Sequence, residues 1–282
     1  FKNLFTQGMV CHESYKDLNG EWLYPEEVER KDSKNVIKKK DKTKVIVGPP
    51  ESMSKSKKNT IDPETMIKQY GADAVRWFIL SDSPPEKDIQ WSDAGVASAN
   101  KFLQKIWNLN FVIKNKSVSS SDKEQEKKFI LGIKNYVSKI DSSIKDFRFN
   151  VSIAQFYEIY NFFKENLEKK ISDKLFKESI IEVMKLMVPF TPHLAHECLE
   201  LANCKTPDKW PTVEKNILQE INLAVQINGK TRDIISIKKD FSEKEIDKLV
   251  LNNSKAKKYI ENKKIIKTIF VKNKIINYII SS

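Results

Sequence analysis

The sequence contains few cysteines and no long apolar run free of charge. Its three cysteines, Cys11, Cys198 and Cys204, form an odd and sparse set, which argues against a disulfide framework and indicates a reducing compartment. A mean hydropathy of −0.51 and the missing apolar run argue against a membrane span, and no signal peptide is recognisable. We therefore expect a cytoplasmic protein without a membrane partner.

The chain also lacks an initiator methionine, since it begins Phe1-Lys2-Asn3, as a fragment of a longer chain does. Its 282 residues, 40% of them hydrophobic, are enough for two or three domains with their own cores. We expect a multidomain protein that combines α-helical and α/β parts.

Positive charge is concentrated near the end of the chain. The whole sequence has a net charge of +12, and residues 221–282 alone hold fourteen basic and six acidic residues, a net charge of +8. This concentration fits a polyanionic partner such as nucleic acid. The alternative is genome-driven enrichment, because Lys, Ile and Asn are abundant throughout the sequence.

The first part of the chain has β signals. Residues 1–10 alternate weakly between apolar and polar, which predicts a strand. In the polar segment that follows, Asn19-Gly20 is a hairpin signal, and NVIKKKDKTKVIV predicts a strand, a turn and a strand. These patterns indicate a small β-rich excursion from a larger domain.

Helix signals then continue to about residue 200. Asp62 suits an N-cap, Pro63 the first helical position and Gly71 a C-cap. A second helix should open at Asp73 and stop before Pro84-Pro85. A longer helix capped by Ser92 or Asp93 should present an apolar face made of Ala94, Ala97, Phe102, Ile106 and Leu109.

The middle of the chain predicts an antiparallel helix bundle. Residues 114–128 should form a solvated linker. The helices that follow are predicted at 129–146, at 151–169, at about 173–187, and within TPHLAHECLELAN.

After Trp210-Pro211 the pattern becomes that of a small basic α+β module. Asn228-Gly229 predicts a type I′ hairpin, Ser242 with Glu245 a capping box on a helix to about 251, and Asn273 a turn between two strands. Lys230 and Arg232 lie two residues apart on a strand, so both should face the same side.

The segment ESMSKSKKNTIDP, residues 51–63, joins a lysine-rich loop to a capped helix start. Closely spaced lysines on such a loop can place ammonium charge on a polyphosphate. The alternative is a solvated charge run.

The exact residues favour the first interpretation. MSKSKKN, then IDP and YGADAVRWFIL, resemble the KMSKS signature region of class I aminoacyl-tRNA synthetases. The first lysine of that signature is replaced by Ser52, and Lys57 and Lys58 are the candidates to compensate. The resemblance implies that Met53, Ser54, Lys55 and Ser56 bind ATP and that Lys55 acts as the catalytic contact to its phosphates.

Other segments, namely FTQGMVCHE, DSPPEKDIQWSDAGVASANKFLQKIWNL, MVPFTPHLAHE and AVQINGKTRDII, are similar to bacterial-type leucyl-tRNA synthetases. The resemblance implies a domain order. Residues 1–68 would be the end of a Rossmann catalytic domain with an insertion at about 14–47. Residues 69–213 would be connecting helices and an anticodon-binding helix bundle, and 218–282 a C-terminal tRNA-binding module.

By this resemblance the full enzyme is a monomer that activates leucine with ATP and Mg²⁺ and transfers it to tRNA(Leu). The residues expected to contact tRNA are Lys230, Arg232, Lys255, Lys257 and Lys258. The family's HIGH signature is missing from these 282 residues, so this chain alone should be inactive. The alternatives are an isoleucyl, valyl or methionyl enzyme and a stand-alone tRNA-binding module.

Two other groups of residues are candidate sites. His193 and His196 lie near Cys198 and Cys204, but their order is not that of a zinc protease helix, so we expect no metal site. We expect instead that Thr191 caps this helix. Trp77, Trp91 and Trp107 are expected to pack in the core or between helices.

Overall fold

The computed structural model describes residues 4–32, 35–117, 121–212, 220–238, 240–261 and 263–281. Residues 1–3 of the first predicted strand, 118–120 of the predicted linker and 218–219 of the predicted module lie outside these ranges. The chain forms two compact units, Phe1–Glu214 and Lys215–Ser282. Among the described residues, none of the helices combines the length and apolar character that a membrane crossing requires.

The first unit begins with short strands, followed by helices. Its strands are β1 (Val10–His12), β2 (Tyr15–Lys16), β3 (Trp22–Leu23), β4 (Val28–Arg30), β5 (Val36–Lys38), β6 (Ile46–Val47), β7 (Glu51–Ser52) and β8 (Ile89–Gln90). Its helices are α1 (Pro63–Tyr70), α2 (Ala72–Ser81), α3 (Asp93–Lys114), α4 (Lys123–Lys145), α5 (Phe149–Asn166), α6 (Asp173–Met187) and α7 (Pro192–Leu201).

Strand β1 lies between β7, which is antiparallel to it, and β8, which is parallel. The predicted strand over 1–10 is therefore shifted, because only Val10 belongs to β1. Gly8 is needed just before it: its amide donates to the Pro85 carbonyl at 2.8 Å, and a Cβ at this position would lie 2.0 Å from the Lys87 carbonyl oxygen.

The β-rich excursion consists of two further small sheets. One has the order β3-β2-β6 and the other pairs β4 with β5. The hairpin signal at Asn19-Gly20 is confirmed, since β2 and β3 pair across this turn and Gly20 has a φ of 86°. Their small shared core is formed by Tyr15, Leu23, Val36 and Val45.

The helices α2 to α7 share one apolar core in which Trp77 and Phe129 are almost fully buried. The apolar face of α3 differs from the prediction at its start. Val96 and Ala99 are buried while Ala94 is exposed, because these two residues continue the helical spacing of Phe102, Ile106 and Leu109, which are buried as predicted.

The predicted linker at 114–128 is too long at both ends. Helix α3 continues to Lys114, and α4 already begins at Lys123, because Asp122 caps it by accepting from the amides of Glu124 and Gln125, both at 2.9 Å. Charged residues in a first turn are compatible with a helix whose remaining length packs against the core.

The second unit is a four-stranded sheet with helices. It consists of β9 (Glu220–Ile227), β10 (Lys230–Lys238), α8 (Glu243–Asn253), α9 (Lys257–Ile260), β11 (Ile265–Val271) and β12 (Ile275–Ile280). The strand order is β10-β9-β12-β11, with β12 parallel to β9. The predicted turns at Asn228-Gly229 and Asn273 and the capping box of Ser242 with Glu245 are confirmed.

Candidate functional site

The lysine loop of residues 53–58 begins where β7 leaves the sheet. Ser52 pairs with Cys11 and Glu51 with His12, and the Met53 amide donates to the Val10 carbonyl at 3.3 Å. The start of the loop is therefore held by backbone hydrogen bonds to β1.

Asn59 holds the other end of the loop, and sequence reasoning missed this role. Its side chain is completely buried, and its carbonyl oxygen accepts from the Ser54 amide at 2.7 Å. Its Nδ2 lies 3.2 Å from the His12 carbonyl oxygen, 3.3 Å from that of Glu51 and 3.4 Å from that of Ser52. The only signal was an asparagine directly after a lysine run.

Between these anchors the loop turns tightly. The Lys58 amide donates to the Lys55 carbonyl at 3.3 Å, and Lys58 has a φ of 52°. The hydroxyl oxygens of Ser54 and Ser56 are 2.7 Å apart. Met53 is half-buried, whereas Lys55 and Ser56 are exposed at the tip.

The three lysines of the loop differ in their partners. Lys57 forms an ion pair with Glu51, and its hydrogen bond to that carboxylate is the main reason why the pKa of Glu51 is lowered. The Lys58 ammonium lies 5.3 Å from the centre of the Tyr24 ring. Among all the residues that the structure describes, Lys55 has neither an ion pair nor a ring contact, and it is exposed, so its ammonium is available to a ligand.

Helix α1 fixes the chain immediately after the loop. The Asp62 carboxylate accepts from the amides of Glu64 at 3.1 Å and Thr65 at 3.2 Å, and from the Thr65 hydroxyl at 2.7 Å. The Thr65 hydroxyl is the main cause that lowers the pKa of Asp62. Gly71 ends the helix with a φ of 82°, as predicted.

Helix α2 is tied to the turn between α6 and α7. Asp73 accepts from the Leu194 amide at 2.7 Å and lies 2.9 Å from Nδ1 of His193. Arg76 donates to the carbonyls of Pro189 at 2.7 Å and Phe190 at 3.1 Å. The prediction that Thr191 caps α7 is wrong, because its side chain makes no capping bond and the Asp73 carboxylate caps the helix instead.

Two of the expected tRNA-contacting residues of the second unit, Lys230 and Arg232, lie at a bulge in β10. Thr231 and Asp233 pair with the consecutive residues Gln226 and Val225, so Arg232 is an inserted residue. Simple alternation, from which we predicted that Lys230 and Arg232 face the same side, does not hold through such a bulge.

Two of the predicted residues meet at one aromatic ring. The Arg232 guanidinium lies 4.4 Å and the Lys258 ammonium 5.2 Å from the centre of the Tyr259 ring. Next to them, Asp233 accepts from the Ser254 hydroxyl at 2.6 Å and the Lys255 amide at 2.7 Å. The Ser254 hydroxyl is the main cause that lowers the pKa of Asp233.

All five basic residues of this group are exposed. Arg232 and Lys258 share the Tyr259 ring, and Asp233 fixes the backbone of Lys255. Lys230 lies at the hairpin and Lys257 opens α9, and among the described residues neither has its charged group over that ring. We call Lys230, Arg232, Lys255, Lys257 and Lys258 the basic surface.

The remaining candidates are the cysteines and histidines considered for a metal site and the tryptophans. Cys198 is buried, which raises the pKa of its thiol to about 12. Within the described ranges, no three His, Cys, Asp or Glu side chains come together as a metal site would require. Trp77 is fully buried and Trp91 packs on Phe78, whereas Trp107 is 37% exposed and therefore lies outside the core, beside residues of α1, α2 and α7.

Two family profiles match the chain. The profile of class I tRNA synthetases (I, L, M and V) matches residues 45–92, which include the lysine loop, α1 and α2. The profile of the anticodon-binding domain of tRNA ligase matches residues 126–247, a range that crosses the boundary between the two units.

Similar proteins cover the chain from end to end. Leucine–tRNA ligase of Zymomonas mobilis is 37% identical and that of Rickettsia canadensis is 41% identical, each over 99% of this chain. The chain spans about a third of these relatives, 32% and 34% of their lengths.

A solved structure shares the fold. The LeuRS in a ternary LeuRS–tRNA–LeuAMS complex from Agrobacterium radiobacter K84 has a TM-score of 0.67 and 23% sequence identity, over 99% of this chain and 32% of that chain. The mixed helices and small sheets described above agree with this fold. The sequence relatives show that this chain is homologous, over practically its whole length, to a C-terminal portion of leucine–tRNA ligases, which are class I tRNA synthetases.

Proposed function

We propose that the protein to which this chain belongs is a leucine–tRNA ligase, which activates leucine with ATP and transfers it to tRNA(Leu). The observation that carries this proposal is the 41% identity to a leucine–tRNA ligase over 99% of the chain. The free ammonium of Lys55 on an anchored loop supports it. The domain order given by the resemblance, a monomeric state and a cytoplasmic location belong to the same proposal.

Lys55 is proposed to contact the ATP phosphates, with Met53, Ser54 and Ser56 shaping the loop around the nucleotide. Charge develops on the leaving pyrophosphate during amino-acid activation, and a preorganised cation there stabilises the transition state. Mg²⁺ would enter with ATP as part of the substrate complex. Because Lys57 and Lys58 already have partners, they are weaker candidates to replace the lysine that is missing at Ser52.

The basic surface is proposed to bind the tRNA backbone. Exposed lysine and arginine side chains neutralise phosphates without reading bases, so they supply affinity that falls with added salt. The clustering of Arg232 and Lys258 on Tyr259 supports a fixed arrangement for part of this surface.

The decisive experiment is ATP–pyrophosphate exchange by the full-length gene product, tested with each amino acid in turn. We expect exchange that depends on leucine. Exchange that depends on isoleucine, valine or methionine would move the proposal to a neighbouring enzyme of the class. If no amino acid supports exchange and the reading frame contains no HIGH signature, the protein is a stand-alone tRNA-binding module.

A further inference from the structure

Helix α3 carries a surface that neither family profile covers, because residues 93–125 lie between the two matched ranges. After Asp93 in its first turn, the helix has no acidic residue, and it contains Lys101, Lys105 and Lys114. All three lysines are exposed. The neighbouring helices α4, α5 and α6 mix glutamates with lysines, so the uniformly positive charge is particular to α3.

A cavity of about 420 Å³ opens beside this helix. Such a volume lies within the range of small-ligand sites. Besides apolar residues of α2, α3 and α7, it is lined by Tyr70 at the end of α1 and by Asn100, Gln104, Trp107 and Asn108 of α3. Three of these residues are amides spaced four apart, so they follow one another along a single face of the helix. Asp73 of α2 also lines the cavity, but its carboxylate is buried and already accepts from the Leu194 amide.

Trp107 differs from the other tryptophans of the helical region. The indole nitrogens of Trp77, Trp91 and Trp210 donate to Tyr157, Asp93 and Asp141 respectively. Within the described residues the Trp107 indole has no hydrogen-bond acceptor, and 37% of the residue is exposed. Phe111, one turn further along, is 55% exposed.

These groups match the chemistry of an unpaired nucleotide. An aromatic ring stacks on a base, amides bond to base edges, and lysines neutralise the phosphates. We propose that the Trp107 cavity binds an unpaired nucleobase of RNA, which under the proposed function is a nucleotide of the tRNA. A globular protein partner fits less well, because the core of such an interface is depleted in charged residues, whereas three exposed lysines lie along this helix.

The first test uses the 282-residue chain and a labelled single-stranded RNA octamer, with binding followed by fluorescence anisotropy at fixed salt. Stacking of one base is worth about 1–3 kcal/mol, so Trp107→Ala should weaken binding by roughly 5-fold or more. Trp107→Phe should retain most of the affinity. The matched control is Leu131→Ala on α4, which removes a 50% exposed apolar side chain and should have no effect.

A second variant, Asn108→Asp, tests the proposal even if Trp107→Ala does not fold. Asn108 is exposed, so the substitution should leave the thermal unfolding unchanged, yet a carboxylate beside the cavity should repel the RNA and weaken binding several-fold. Normal octamer affinity in both folded variants would overturn the proposal, as would a wild-type chain that does not bind the octamer.

A parallel binding measurement with tRNA(Leu) distinguishes failure of this proposal from failure of the proposed function. If tRNA(Leu) binds and Lys230→Ala weakens it while Trp107→Ala changes neither RNA, the cavity proposal is wrong and the function stands. If the octamer binds in a Trp107-dependent manner but the full-length protein does not charge tRNA, the cavity proposal stands and the function fails.

Discussion

Of the three lysines in the loop, Lys55 is the one that could bind an ATP phosphate without giving up an existing contact. Lys57 is held by Glu51 and Lys58 lies over Tyr24, whereas Lys55 is exposed at the turn. In the full-length enzyme, Lys55→Ala should slow leucine activation by roughly 10²–10³-fold, the range for removing one preorganised transition-state donor. Pyrophosphate exchange at saturating leucine measures this, and leucine affinity should change little.

Lys57→Ala is the matched control for that experiment. It removes a lysine two positions away whose ammonium is already paired with Glu51, so exchange should fall much less. Near-normal exchange by Lys55→Ala, or equal losses in both variants, would contradict the assignment of Lys55.

Asn59 determines whether the loop keeps its shape. Asn59→Ala would remove the acceptor of the Ser54 amide and the donor to three carbonyl oxygens. Leaving such buried groups unpaired costs about 1–3 kcal/mol. We expect trypsin to cut the 282-residue chain at Lys55 to Lys58 several-fold faster. Asn115→Ala, which removes one exposed side-chain bond to Phe111, should leave that rate unchanged; equal rates in the two variants would show that Asn59 is dispensable.

At the scale of elements, α2 connects the loop helix α1 to the bundle. Asp73 caps the start of α7, and Arg76 satisfies carbonyls at the end of α6, so the turn between these helices is held from one side. Asp73→Ala would leave the Leu194 amide without its acceptor and remove a negative charge from a helix N-terminus. The free energy of unfolding should fall by about 0.5–2 kcal/mol.

Urea denaturation followed by tryptophan fluorescence measures that loss selectively, because all five tryptophans lie in the first unit. Asp208→Ala, which removes an exposed carboxylate from a turn of the same unit, is the control and should have no effect. An unchanged midpoint for Asp73→Ala would show that α7 does not depend on this cap.

Elements with local signals could be predicted, and those that depend on distant partners could not. Asp62, Gly71, Asn228-Gly229 and Ser242 act through residues within a few positions, so their caps and turns follow from sequence. Asp73 and Asn59 bond residues 121 and 47 positions away. The bulge at Arg232 depends on the register with β9, which alternation alone does not reveal.

At the scale of the whole molecule, the chain consists of two units with separate apolar cores. Each should therefore fold. Under the proposed function, however, the lysine loop supplies only one side of the nucleotide site, and the 282 residues contain no HIGH signature. We expect the purified chain to give a helical circular dichroism spectrum and no leucine-dependent pyrophosphate exchange. Formation of leucyl-adenylate by the chain would refute this expectation, and addition of the full-length enzyme is the positive control.

The second unit should contribute to tRNA charging and not to leucine activation. It holds a net charge of +8 over residues 221–282, including the basic surface, and its core is its own. Deleting 218–282 from the full-length enzyme should lower kcat/KM for tRNA and leave leucine-dependent exchange intact, because activation does not need the tRNA backbone.

Lys230→Ala combined with Arg232→Ala should reproduce part of the loss caused by the deletion and reduce the salt dependence of tRNA binding, since each lost phosphate contact lowers the slope by about one. Lys244→Ala combined with Lys248→Ala on α8 removes the same charge from two exposed lysines that are not part of the basic surface, so it separates a specific surface from general lysine enrichment. If the two double variants weaken charging equally, net charge alone explains the effect. If the deletion leaves kcat/KM unchanged at physiological salt, the second unit does not bind tRNA during charging.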